Sequence, residues 1–142
     1  MKRLITGAIA GVLIGTFASV VMDTSPAYAD NHAVIKQRIE LMRKGVLGNF
    51  KVIKAFAKDG KGSMADVAAA AKGVEAAAGK LLPLFPKGTG RPDYSDKETR
   101  SLAKIWEDWA TFEKANNAMA THAVAIAKHA AAKDADGVKA SF

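Results

Sequence analysis

Apolar positions along this chain recur in steps of three and four over most of its length. Between Ala33 and about Lys58 the seam runs Ile35, Ile39, Met42, Val46, Asn49, Ile53 and Phe56. That spacing gives a helix one core-facing stripe, as in bundles. "KDGKGS" (58–63) then breaks the pattern, and Ser63 or Asp66 is suited to cap a second helix through "VAAAAKGVEAAAGKLL". Ala is the best helix former, and its small side chain lets neighbouring helices approach closely. Pro83 and Pro86 end this helix.

"FPKGTGRPDY" (85–94) is the longest loop. Ser95, with Glu98 three residues on, reads as a capping box that starts a third helix. Its seam is Leu102, Ile105, Trp109, Phe112, Asn116, Met119, Ala123, Ile126 and Ala130. "AKDADG" (132–137) is a break, with Asp136 as the N-cap of a fourth helix. "GVKASF" then supplies about one turn, and a lone turn is not a stable element. No segment reads as a strand. The expected architecture is all-α: an up-down-up-down four-helix bundle with most of the fourth helix missing, and so with a wide apolar groove.

The N-terminus changes the domain picture. Lys2 and Arg3 precede an uncharged apolar stretch, Leu4 to Met22, and "AYA" (27–29) matches a small-residue cleavage site. The stretch is about the minimum length for a membrane span, but the cleavage site favours a cleaved Sec-type signal peptide over residues 1–29. Residues 30–142 are then the exported helical domain, placed in the periplasm with no membrane contact after cleavage.

Charge and chemistry narrow the function. The formal net charge is +7, but no basic block interleaves with aromatics, which argues against nucleic acid. A solvated lysine face, or docking to an acidic partner, accounts for the excess. The chain has no Cys, which excludes a disulfide scaffold, a thiolate metal site and a C-x-x-C-H haem attachment within it. Enzyme motifs are absent: "GKGS" lacks the phosphate-loop spacing, and Glu107 and Asp108 read as a solvated face. His122 and His129 are seven apart on one helical stripe, without a carboxylate at ligand spacing. Arg38 and Met42, four apart, share a helix face. Two readings stay open for them. One is a core Met beside an Arg snorkelling to water; the other is a thioether aimed into the bundle as a haem ligand, with Arg38 near a propionate.

In combination these segments resemble the cytochrome c-prime family of periplasmic four-helix c-type cytochromes. "IKQRIELMRKGVLGNFKVI" is similar to its first helix, with Arg38 and Met42 at the Arg and distal-ligand positions. "LLPLFPKGTG" carries its Leu-Pro-x-Phe-Pro-x-Gly signature, and Ile105, Trp106 and Phe112 match its third-helix pattern. The resemblance runs from Val34 to Phe142. It implies an electron-transfer protein rather than an enzyme, with haem c as cofactor. Met42 is the expected distal haem-iron ligand, and Arg38 a propionate or pocket-rim contact. A Met at this position belongs to the low-spin electron-transfer branch; an apolar residue belongs to the gas-binding one. The partners implied are an unidentified redox protein and a second copy in a homodimer. The family's fourth helix carries C-x-x-C-H, which this sequence lacks, so covalent attachment is not expected and neither haem Cys nor the proximal His is present. Three explanations follow: a chain truncated before the motif, non-covalent haem held by Met42 with His122 or His129, or a haem-free bundle that binds a partner helix or another apolar ligand.

Overall fold

The computed structural model describes residues 31–142. The signal-peptide reading of residues 1–29 lies outside the described residues. All regular structure among those residues is helical. The chain runs through α1 (Asn31–Glu40), a π-helical segment (Leu41–Gly48), α2 (Asn49–Asp59), α3 (Met64–Leu81), a 3-10 turn (Leu82–Leu84), α4 (Lys104–Glu107), α5 (Trp109–Ala131) and α6 (Ala135–Ser141).

Residues 31–59 form one unbroken helix, because Glu40, Gly48 and Asn49 at the junctions all keep right-handed helical dihedrals. It ends where expected. Gly60 takes the left-handed conformation (φ 62°), and Lys61 N–H donates to Ala55 O at 3.1 Å, a glycine-closed helix terminus. Ser63 then caps α3. Its Oγ accepts from Asp66 N–H at 3.1 Å, and Asp66 Oδ2 accepts from Ser63 N–H at 3.1 Å. Ser63 and Asp66 are therefore two halves of one capping box rather than alternatives.

The third helix departs from expectation. Ser95 and Glu98 do pair, with Ser95 N–H donating to Glu98 Oε2 at 3.1 Å, but they close a single turn and no helix follows at once. The chain is instead pulled inward at Thr99, which is buried. Helix resumes only at Lys104 and breaks at Asp108 (φ −130°, ψ 61°), which leaves the ladder to cap α5 by accepting from Thr111 N–H. The cap of α6 is Asp134, not Asp136: Asp134 Oδ1 accepts from Gly137 N–H at 2.9 Å. Nor is α6 a bare turn. Val138 is fully buried in the main core, and that burial holds the element in place.

The core is built mainly from α3 and α5 with α2 and α6 against them: Ile53, Val67, Ala71, Val74, Ala123, Ile126, Ala130 and Val138 are all buried. The Ala-rich stripes give little bulk but allow close helix approach. Asn116 spans this interface, donating from Nδ2 to Ala78 O at 3.2 Å.

Candidate functional site

Beside this core, the opposite end of the first helix lines an open groove of about 1250 Å³. Its floor is apolar: Ile39, Val46, Leu47 and Phe50 come from the first helix, Ile105 and Phe112 from the third, and Phe85 from the loop between. Met42 lines this groove and is 39% exposed. The π segment that carries Met42 buries none of its residues.

Arg38 also lines the groove, but its side chain does not snorkel. The residue is 2% exposed, and its guanidinium holds the loop. Nη1 donates to Leu84 O (3.1 Å) and Thr89 Oγ1 (3.0 Å). Nη2 donates to Thr89 O (2.7 Å) and Thr99 Oγ1 (2.9 Å). The same cation lies 4.5 Å from the centre of the Phe85 ring. Burial lowers its pKa from the ordinary arginine value, yet a guanidinium stays protonated throughout the working range. The desolvation penalty is offset by these bonds, which exploit the fork geometry that only Arg offers.

Around this clamp an aromatic cluster closes the wall. Phe85 lies 4.7 Å from Phe112 and 6.3 Å from Trp106 between ring centroids, and Trp109 lies 5.4 Å from Phe112. Trp106 Nε1–H donates to Phe85 O at 2.9 Å, so the indole is polar-anchored packing. Its ring covers Gly90, where any Cβ would collide with it. The glycine is there for that close approach.

The rim is charged. Arg43, Lys97 and Arg100 line it together with Asp96 and Glu98. Asp96 is paired with Arg91 at 2.6 Å. Hydrogen bonds from the Ser95 hydroxyl and backbone hold the Glu98 carboxyl below the usual carboxylate range, with His32 adding to the effect.

Among the described residues no His lines this groove. His122 lines a separate apolar pocket of about 240 Å³, together with Met119 and Ile126. Phe50 borders both spaces. His129 Nδ1 lies 2.8 Å from Asp134 Oδ2, in the turn before α6. The structure therefore brings Arg38 and Met42 to one groove and leaves His122 and His129 elsewhere. Sequence reasoning missed Thr89 and Thr99, and placed Asn49 only as a seam position. The first two belong to a loop with no periodicity, and only the buried Arg reveals their role.

The groove therefore combines an apolar floor and one methionine with a rim that carries both cations and carboxylates. In comparison with known proteins, the family model described as Cytochrome C' matches residues 33–142. No curated protein and no solved structure matches the chain. Among the described residues, no helix is long and apolar enough to cross a membrane.

Proposed function

The chain belongs to the cytochrome c-prime family, and on that premise we propose that the groove is the distal half of a haem site in a periplasmic electron carrier. The observation that carries this reading is Met42, a partly exposed methionine among the apolar residues that line the groove. Haem, when bound, supplies the one-electron chemistry, and the protein supplies orientation, polarity and access. Met42 Sδ is the proposed distal ligand. Ile39, Val46, Leu47, Phe50, Phe85, Ile105 and Phe112 would exclude water from that face. Arg38 would serve as the pocket-rim contact, because its donors already build the wall and its charge remains beside the groove. Trp106 and Trp109 pack; neither is needed as a redox centre. The reading assigns carriage of electrons and no substrate turnover.

Titration of the protein with ferric haem tests this. A Soret shift is expected in the wild type and a different spectrum in Met42→Ala. Identical spectra would remove Met42 from the ligand set. Since the sequence has no Cys, acid-acetone is expected to extract whatever haem it holds. A second reading, a binding module for another apolar ligand, draws on the absence of any His among the described residues that line the groove. It predicts no Soret shift at all.

A further inference from the structure

Met42 sits in a π-helical segment, and π turns widen a helix and recur at functional sites. Something must hold this one open. In an α-helix the Gly45 carbonyl would accept from Asn49 N–H, four residues on. Here Asn49 N–H points instead to Val46 O. The Asn49 side chain takes over the Gly45 carbonyl, with Nδ2 donating to it at 2.6 Å. The Asn49 N–H thus takes the tight i→i−3 spacing at the end of the π segment, and its side-chain amide donates to the carbonyl that the N–H does not reach.

The facing helix is shaped to admit that amide. Gly73 on α3 lies against Asn49, and any Cβ at position 73 would collide with the amide group. One turn along, a Cβ on Gly45 would come within 3.0 Å of the Ala77 Cβ. Residues 45 and 49 therefore meet 77 and 73, an antiparallel register built from small residues. Glycine is a poor helix former, and α3 carries Gly73 in its interior all the same. Relaxation of the segment to α would rotate its face by about 100° per residue of slipped register. Met42 would keep its side of the helix relative to Arg38, four residues back, but Val46, Leu47 and Phe50 would turn relative to it, and the groove around the thioether would change.

We propose that Asn49 is the positioning residue for Met42: it props open the π turn that presents the thioether, and Gly73 provides the space for it. The functional consequence rests on the reading of Met42 as haem ligand; the structural part does not.

Two variants separate the hydrogen bond from packing. Asn49→Ala/Gly73→Ala refills the space without the amide, and Asn49→Asp keeps the shape but replaces the donor with an acceptor. The first readout is the methyl NMR resonance of Met42 in the haem-free protein, with Met64 and Met119 as internal controls. The Met42 resonance is expected to move in both variants while the other two stay. The second readout is haem titration, where affinity is expected to fall by about tenfold, the lower end for loss of a residue that orients a metal ligand. An unmoved Met42 methyl in variants that retain helical circular dichroism overturns the proposal. If the methyl moves but wild-type haem binding proves independent of Met42, the turn-holding role stands and the ligand reading falls.

Discussion

Ile53 and Met42 lie on the same unbroken helix and the same sequence seam, yet Ile53 is 2% exposed and Met42 39%. The difference lies in what stands opposite. Ile53 meets α3, α5 and α6, whose Val67, Ile126 and Val138 form the closed half of the molecule. Met42, Leu47 and Phe50 face the groove, bordered by the loop after α3 and the start of the third helix. A helix seam records where a partner belongs; burial depends on whether one is there. The closed half is a core whose stability is set by packing, whereas the open half is a groove whose shape is set by a few polar contacts.

This contrast can be broken in a graded series. Arg38→Leu is expected to have the largest effect, about 4 kcal/mol in urea unfolding, because it leaves Thr89, Thr99 and the Leu84 carbonyl without their charged donor. It should also open the groove wall, whereas Arg38→Lys should rescue only part, since an ammonium cannot reproduce the fork. Ile53→Ala is expected to cost about 3 kcal/mol, the usual penalty for a cavity in a closed core. Ser63→Ala should cost about 1 kcal/mol by removing the α3 cap. Leu47→Ser, at a 47% exposed position on the same helix as Ile53, should change stability by no more than about 0.5 kcal/mol. A cost for Leu47→Ser equal to that for Ile53→Ala would mean the two halves are not distinct.

The smallest expected effect is on the acid limb. The hydrogen bond from the Ser63 hydroxyl, with a second from its backbone, holds the Asp66 carboxyl below the ordinary carboxylate value. Gly137 N–H, and then His129, do the same for Asp134. A group whose folded value is depressed stabilises the fold above its unfolded value. That contribution is lost as pH falls through the folded one. The gap in unfolding midpoint between wild type and Asp66→Asn should therefore be full at neutral pH and shrink on acidification below the ordinary carboxylate range. A gap that widened on acidification would show the sign to be wrong.

Much of the fold is legible from local signals. Gly60 ends the first helix, Ser63 with Asp66 starts α3, and the third-helix stripe of Asn116, Ala123, Ile126 and Ala130 is buried as its spacing predicts. Other features follow from competition that a seam cannot display. Ser95 and Glu98 carry a helix-start signature, but the pull of Arg38 on Thr99 takes the chain inward before a helix can propagate. The π segment is invisible to a pattern of threes and fours, because it depends on the Asn49 amide meeting a glycine on another helix. In the site, the shared face of Arg38 and Met42 follows from four-residue spacing, whereas the direction of the Arg38 side chain does not.

The sequence by itself determined that this chain is helical, where most helices stop, that Met42 and Arg38 lie on one side of the first helix, and that no thiol is present. These are properties of neighbours in the chain, governed by propensity, capping and periodicity. Tertiary structure alone decided that Arg38 is buried as a clamp, that α6 is held by Val138, and that Met42 opens onto a groove apart from His122. Each of those outcomes depends on groups distant in sequence competing for one space or one hydrogen bond. Such competition is resolved only when the helices pack.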